Sequence, residues 1–197
     1  MGFLLKYSMN EILIFPNPVL RKKSKEILKV GNELKKEIES VKKGLTDSEN
    51  GAGLAAVQLG ILRRFFVIKK EGKLRVLINP KIVKTVGEPE WVIIDRDDGG
   101  QEGFLEGCLS FPGFFGRVKR WLVIEVVWEE IKGDRLVKKE TRLSGFEAVV
   151  WQHERDHLDG IMFVDRVKKD KGKFYRWEGG QMIKWKVGDL LKEEKTS

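Results

Sequence analysis

His153-Glu-Arg-Asp-His157 is the stretch that decides how this 197-residue sequence folds and which chemistry it can perform. On a helix, two histidines four positions apart lie on one face with their Cβ atoms about 5–6 Å apart, so both imidazoles can reach one metal ion. Glu154 lies beside His153, where it can reach a water molecule at such an ion. The chain has two histidines, and both belong to this stretch. The pattern therefore favours a metal site over two histidines that are merely hydrogen-bonded within a core.

The helix that carries this stretch is predicted to run from Ser144 to about Leu158. Ser144 and Glu147 have the spacing of a capping box, in which each side chain bonds to the backbone near the other. Gly160 is a typical left-handed residue just beyond a helix end. Apolar residues and both histidines share one face of this helix: Phe146, Val149, Val150, His153 and His157.

The third ligand must come from elsewhere in the chain, because a catalytic metal ion takes three protein ligands and keeps one open position. Asp159 and Asp165 are carboxylate candidates. Cys108, the single cysteine, is the better candidate, since a thiolate binds borderline-soft metals strongly. It lies in the turn-like stretch Glu106-Gly-Cys-Leu-Ser110. A lone cysteine is often a small buried apolar residue, and the histidine pair is what favours the ligand interpretation.

A third stretch, Gly51-Ala-Gly-Leu-Ala-Ala-Val-Gln58, is predicted to be a loop or short strand. Its small residues let a substrate backbone approach closely. Gln58 can place an amide near the metal as an oxyanion donor, or it can be an ordinary buried glutamine. The stretch also fits the loose nucleotide pattern G-x-G-x-x-A, but that fingerprint requires a preceding strand, and here a polar helix end precedes it. We therefore expect no nucleotide cofactor.

The remaining pattern predicts an α+β fold in which mostly antiparallel strands pack against the histidine helix. Apolar spacing predicts a helix over 32–45, and a shorter helix is expected over 19–28. The predicted strands are 64–69, 74–79, 81–86 and 90–95. A flexible turn at 97–100 follows, and then a hairpin of strands 121–129 and 135–143.

Length and composition are those of a one-domain protein without a membrane span, and we expect residues 1–197 to form a single domain. No apolar run approaches the roughly 20 residues of a spanning helix, and the N-terminus does not resemble a secretory leader. A single cysteine is typical of a reducing compartment. We therefore expect a cytoplasmic protein. Its formal charge of +8 favours acidic partners, among them RNA.

Together, the stretches 51–58, 106–110 and 152–157 resemble the three signature motifs of the peptide deformylases, in their usual order. The resemblance extends to Ile12-Leu-Ile-Phe-Pro-Asn-Pro-Val-Leu-Arg21, Ile78-Asn-Pro80 and Phe111-Pro-Gly113. It covers about residues 9–167, which would be the catalytic core, and leaves 168–197 as a C-terminal extension or helix. The fold that it implies has antiparallel β-sheets packed around a central helix carrying the HExxH motif.

The resemblance also implies a role for individual residues. The metal ligands would be Cys108, His153 and His157. Glu154 would be the general acid and base, and the oxyanion donors would be the Gln58 side chain and the backbone N–H of Leu109. Ala52, Gly53 and Gly107 would hold the peptide backbone, and Phe146 and Val149 would line the methionine pocket.

The implied activity is removal of the formyl group from N-formylmethionyl nascent peptides, with release of formate. One divalent ion per chain is implied, with Fe(II) as the native metal and zinc, nickel or cobalt as substitutes. The implied enzyme is cytoplasmic and acts in protein biosynthesis.

Three features depart from the family pattern. The segment 81–105 looks longer than usual and is expected to be an added hairpin or a lid. Trp151 is bulkier than expected beside the motif and should face away from the metal. Basic and aromatic residues after about Lys168 can contact ribosomal RNA transiently, or they can form ordinary solvated surface.

Two other functions remain open at this point. One is an HExxH metallopeptidase that cuts internal peptide bonds, against which the cysteine ligand and the two companion motifs argue. The other is a non-catalytic ribosome- or RNA-binding protein on the same scaffold, against which the complete ligand set and Glu154 argue.

Overall fold

The computed structural model describes residues 11–48, 50–95 and 100–193, and its α+β architecture confirms the predicted fold class. The helices are α1 (Asn32–Asp47), α2 (Gly145–Leu158), α3 (Phe163–Asp170) and α4 (Val187–Glu193), with 3-10 turns at Pro18–Arg21 and Ala56–Leu59. The strands are β1 (Gly53–Ala55), β2 (Phe65–Lys70), β3 (Lys73–Val86), β4 (Glu90–Trp91), β5 (Ile93–Asp95), β6 (Gln101–Gly103), β7 (Glu106–Cys108), β8 (Phe111–Gly116), β9 (Lys119–Arg120), β10 (Val123–Lys132), β11 (Arg135–Ser144), β12 (Phe174–Glu178) and β13 (Gln181–Lys184). Within these described ranges, no helix combines the length and apolar character needed to cross a membrane.

Two antiparallel sheets form the framework. The larger has the strand order β1-β2-β3-β10-β11, and the smaller has the order β13-β12-β8-β7. Strands β4 and β9 form a separate pair, as do β5 and β6. β1 and β7 are therefore edge strands of their sheets, and each of them carries part of one of the motifs found in the sequence.

Helix α2 packs one side against the larger sheet and leaves its histidines on another side. Trp151 and Leu158 share a core cluster with Phe66 and Ile124. Trp151 is fully buried and meets Phe66 edge to face, with ring centroids 5.3 Å apart. The bulky residue beside the motif thus anchors the helix to the sheet and, as expected, faces away from the histidines.

The ends of α2 agree only in part with the sequence prediction. Gly160 has a φ of 72°, which is the predicted left-handed conformation. The predicted capping box is wrong, because Ser144 still belongs to β11 and its side chain makes no capping hydrogen bond. The Glu147 carboxylate instead accepts hydrogen bonds of 3.0 and 2.8 Å from Lys70 Nζ on β2.

The helix expected over 32–45 is confirmed as α1, but the helix expected over 19–28 is wrong. A 3-10 turn at Pro18–Arg21 is followed by chain whose backbone bonds to distant segments. Ser24 N donates to Leu158 O at 2.8 Å, and Lys25 N donates to Leu62 O at 2.9 Å. These long-range bonds satisfy backbone groups that a helix would have paired locally.

The strands expected over 74–79 and 81–86 are one strand, β3. The interruption at Asn79 and Pro80 is a bulge opposite β10, and Asn79 has a φ of 48°. The Asn79 side chain compensates the irregular backbone, since its Oδ1 accepts from Ile27 N at 2.9 Å and its Nδ2 donates to Ile27 O at 2.8 Å. A proline is tolerated inside a strand at such a bulge.

The hairpin expected around residue 133 is confirmed as β10 and β11, with Gly133 at a φ of 63°. The strand expected over 90–95 is divided into β4 and β5 around the buried Val92. β5 pairs antiparallel with β6, so the 81–105 segment contains a strand pair of its own. Residues 97–99 of the expected turn at 97–100 lie outside the described part of the chain.

The C-terminal segment forms more regular structure than the expected extension or helix. β12 and β13 form a hairpin that adds to β8, and α4 follows. Phe174 and Leu190 lie in one core cluster with Phe163 and Phe111. The part of this segment that the structure describes, through residue 193, is therefore packed into the same structure as the motifs, and residues 194–197 lie outside the described residues.

We expect Trp151→Ala to lower the free energy of unfolding by about 3–5 kcal/mol, because it removes a fully buried ring that joins α2 to the sheet. Urea unfolding followed by circular dichroism measures this change. Trp177→Ala is the matched control, since Trp177 is 53% exposed and its replacement should cost less than about 0.5 kcal/mol. Equal effects of the two substitutions would contradict the role given to Trp151.

Candidate metal centre

Cys108, His153 and His157 converge on one point. Cys108 Sγ lies 3.2 Å from His157 Nε2, and the two Nε2 atoms lie 3.3 Å apart. All three donor atoms lie within 4.8 Å of one another, a geometry that can hold a metal ion. Tetrahedral ligands at ordinary Zn–N and Zn–S bond lengths are separated by about 3.3–3.6 Å, and the two shorter separations in the triad lie close to these values.

Two elements position these donors. The histidines lie one turn apart on α2, and Cys108 is the last residue of β7, where the register shifts so that Cys108 pairs with Phe111. The predicted carboxylate alternatives are engaged elsewhere. Asp159 pairs with Arg64 at 2.8 Å, and Asp165 pairs with Arg21 and caps the start of α3. Within the described part of the chain, cysteine is therefore the donor that completes the triad.

A buried ion-pair network supports the triad. Glu106 Oε2 lies 2.9 Å from His153 Nδ1, which directs His153 Nε2 toward the other donors. Arg120 binds both oxygens of Glu106, at 2.7 and 2.9 Å, and binds Asp156 at 2.6 Å. Arg166 completes the network with bonds of 3.0 and 2.6 Å to Asp156. Such contacts to the outer nitrogen of a ligand histidine orient the ring and raise its basicity.

The sequence prediction missed this network. Glu106 stands two residues before the motif cysteine, and Asp156 lies inside the HExxH stretch, so their positions offered a signal. Arg120 lies on β9, more than thirty residues from the histidines, and nothing in its local sequence marks it. Only folding shows that Arg120 joins two motifs.

The charges of the network tune the site. Burial opposes the charge on Glu106, but the Arg120 guanidinium holds the pKa of that carboxyl well below its usual range. Burial and the charge of His153 lower the pKa of His157 to about 3, so His157 is neutral, as a ligand must be. Burial opposes the charge on His153 as well, yet hydrogen bonds to Cys108 and Glu106 raise its pKa. The Cys108 and Glu106 groups around His153 therefore favour positive charge at this point of the site.

Glu154 is buried directly beside the triad. Burial raises the pKa of Glu154 to about 7, and its Oε2 has no hydrogen-bond partner among the described residues. Gly53 of β1 makes room for it, because a Cβ at that position would lie 2.6 Å from Glu154 Oε1. The carboxyl group can thus exchange a proton near neutral pH at the point where β1 meets α2.

Gln58 lies beside the cysteine of the triad. Its Oε1 accepts a hydrogen bond of 2.9 Å from Ala55 N, and its Nε2 donates to Ser110 Oγ at 3.0 Å. Nε2 also lies 3.6 Å from Cys108 Sγ. The amide therefore presents N–H groups, and not its carbonyl, to the metal centre. Ser110 was not singled out from the sequence, although it stands two residues after Cys108.

A cavity of about 470 Å³ opens beside the triad. The residues expected to bind substrate all line it: Ala52, Gly53, Gly107, Phe146 and Val149, together with Gln58, Leu109 and Glu154. Aromatic side chains that the sequence prediction did not assign also line it, including Phe104, Phe114 and Phe115. Phe104 meets Phe146 edge to face at 5.5 Å, so the residue that follows β6 forms part of the cavity wall.

Antiparallel sheets around a helix with the HExxH motif, with a cysteine as the third donor, define a metal-dependent hydrolase. The family described as polypeptide deformylase matches residues 9–173 of this sequence. The chain belongs to the polypeptide deformylase family, as the three motifs indicated.

Individual relatives agree with this assignment. A peptide deformylase of Thermotoga sp. (strain RQ2) is 37% identical over 163 residues, which cover 83% of this chain and 90% of the relative. That of Heliobacterium modesticaldum is 38% identical over 160 residues, covering 81% and 95%.

Solved structures give the same result. The crystal structure of peptide deformylase from Thermotoga maritima superposes with a TM-score of 0.68 at 37% identity, covering 80% of this chain and 97% of that one. The Synechococcus elongatus enzyme in complex with actinonin gives a TM-score of 0.68 at 30% identity, covering 98% and 88%.

We expect Glu106→Gln to weaken metal affinity by about 10- to 100-fold, because the neutral amide no longer orients and polarises His153 as the carboxylate does. Competition with a chelator measures the dissociation constant. Glu102→Gln, at an exposed position on β6, serves as the control and should leave the affinity unchanged. An unaltered affinity in Glu106→Gln would show that the carboxylate does not support the site.

Proposed function

We propose that this chain removes the formyl group from the N-terminal methionine of newly made polypeptides and releases formate. The observation that carries the proposal is the Cys108–His153–His157 triad, beside a cavity that is also lined by the proton carrier Glu154 and the amide donor Gln58. Membership of the deformylase family supports the same reaction.

The ion is part of the proposal. Two imidazoles and one thiolate suit a borderline divalent ion, and the family resemblance points to Fe(II), with zinc, nickel or cobalt as substitutes. When bound, the ion would supply Lewis-acid chemistry that makes a water molecule acidic enough to lose a proton at neutral pH, and this loss makes it a better nucleophile. Cys108, His153 and His157 would hold it.

The strand edges would bind the peptide backbone. Gly53 of β1 and Gly107 of β7 both line the cavity, and β1 and β7 are the outermost strands of the two larger sheets. An extended peptide can add to such strand edges through main-chain hydrogen bonds. Ala52, Gly53 and Gly107 carry at most a methyl group, so the substrate backbone can approach closely.

Glu154 would move the proton during the reaction. The oxygen of water forms a bond to the formyl carbon while Glu154 takes the water proton. The bond between the formyl carbon and the methionine nitrogen then breaks, and Glu154 gives the proton to that nitrogen. Formate and a free amino terminus result. A pKa of about 7 suits a group that must both accept and donate.

Negative charge develops on the formyl oxygen as the water attacks. The Gln58 amide N–H and the backbone N–H of Leu109 would donate hydrogen bonds to that oxygen. Gln58 is well placed because Ala55 N already occupies its carbonyl oxygen. The methionine side chain would lie against Val149 and Phe146 of α2, which line the cavity.

The remaining expectations are part of the same proposal. Residues 1–197 would act as one catalytic domain, which the shared core of the C-terminal segment and α3 supports. A cytoplasmic location and a transient contact of the basic tail with ribosomal RNA stay predictions. Neither internal peptide cleavage nor a purely RNA-binding role is favoured in a chain of the deformylase family with this ligand set.

The direct test is formate release from a formyl-methionyl tripeptide by protein purified without oxygen and supplied with ferrous ion. We expect release from the formylated peptide and none from its acetylated counterpart, because the methyl group adds bulk at the carbon that water attacks. Elemental analysis should find one ion per chain. Stoichiometric metal without formate release would reject the proposed function.

We expect Glu154→Gln to retain its metal while the turnover number falls by roughly 10²-fold or more, because glutamine fills the same space but cannot carry the proton. Formate release and metal content are measured on the same preparation. Glu147→Gln, on the same helix but paired with Lys70, is the control. Near-normal turnover in Glu154→Gln would remove Glu154 from the mechanism.

A further inference from the structure

The Gln58 side-chain amide is held by hydrogen bonds at both its oxygen and its nitrogen. An amide group has one carbonyl oxygen and two N–H hydrogens. The oxygen accepts from Ala55 N at 2.9 Å, and one N–H is donated to Ser110 Oγ at 3.0 Å. The remaining N–H points toward the metal centre, where Nε2 donates a long hydrogen bond of 3.6 Å to Cys108 Sγ.

Ser110 is itself fixed in place. It is fully buried, and its backbone oxygen accepts a hydrogen bond of 3.0 Å from Phe15 N in the N-terminal segment. It follows Cys108 by two residues, in the turn between β7 and β8 that also contains Leu109. The hydroxyl that contacts Gln58 is thus attached to the same short turn as the metal ligand and the second proposed oxyanion donor.

The bond to Ser110 restricts a torsion that is otherwise soft. The last torsion of a glutamine side chain joins an sp³ carbon to an sp² carbon, so its energy wells are broad. Without the Ser110 hydroxyl, the amide plane would be held by Ala55 N at its oxygen and by only the long 3.6 Å contact with Cys108 Sγ at its nitrogen. The Ser110 hydroxyl fixes the plane at the nitrogen as well, which also fixes the direction of the second N–H.

We propose that Ser110 is a positioning residue for catalysis: its hydroxyl accepts one Gln58 N–H and thereby aims the other at the oxygen that becomes negative during deformylation. The inference rests on the proposed function. It assigns to Ser110 no contact with the substrate or the ion, and the effect passes entirely through Gln58.

The test is a double-mutant cycle of Ser110→Ala and Gln58→Ala. Ser110→Ala should lower kcat about tenfold with little change in KM, less than the roughly 10²- to 10³-fold loss when an oxyanion donor is removed. In the Gln58→Ala background, Ser110→Ala should have almost no further effect, because its target is already gone. A residue that only stabilises the turn would act equally in both backgrounds.

Ser24→Ala is a matched control. Ser24 is also buried, but its hydroxyl has no hydrogen-bond partner among the described residues, so this variant should keep the normal kcat. Metal content should stay at one ion per chain in every variant. A nitrogen-15 NMR spectrum of the zinc-loaded protein gives a readout independent of turnover: the Gln58 side-chain hydrogens should exchange with solvent faster in Ser110→Ala.

The possible failures are distinguishable. If the unsubstituted enzyme releases no formate, the proposed function fails, and the role of Ser110 fails with it. If formate is released but the two substitutions multiply their separate effects, or if Ser110→Ala changes thermal stability alone, only the role of Ser110 is overturned.

Discussion

The rest of the site depends on the buried guanidinium of Arg120. It joins Glu106 of β7 to Asp156 of α2, so it ties the strand that ends in Cys108 to the helix that carries both histidines. Removing one partner from a buried ion pair costs about 3–5 kcal/mol, because the other charge is left without compensation. The distances among the three donor atoms are therefore maintained by a residue that contacts none of them.

Helix α2 must satisfy two environments at once. Its Trp151 side packs into the larger sheet, while the side with His153 and His157 faces the cysteine strand and the cavity. Because the hydrophobic contact fixes how the helix is rotated, it also fixes where the imidazoles point. The polar network then adjusts ring orientation within a position that packing has already set.

Local patterns predicted the parts of this structure that local physics controls. The spacing of His153 and His157 requires a helix for both rings to reach one ion, and α2 has that form. The helix over 32–45 was predicted by its apolar period, because apolar residues at that spacing form one buried face of a helix. The helix predicted over 19–28 is wrong because Leu158 O accepts the hydrogen bond of a backbone N–H in that segment. The capping box predicted at Ser144 is wrong because Lys70 binds the Glu147 carboxylate that the box requires.

The sequence by itself determined the chemistry: two histidines, one cysteine and one adjacent glutamate, in stretches that resemble the deformylase motifs. Tertiary structure decided which of Cys108, Asp159 and Asp165 reaches the histidines, since that depends on where β7 ends relative to α2. It also decided that Arg120 links the motifs and that Ser110 orients Gln58. Contacts between residues far apart in the chain follow from packing and leave no periodic trace in the sequence.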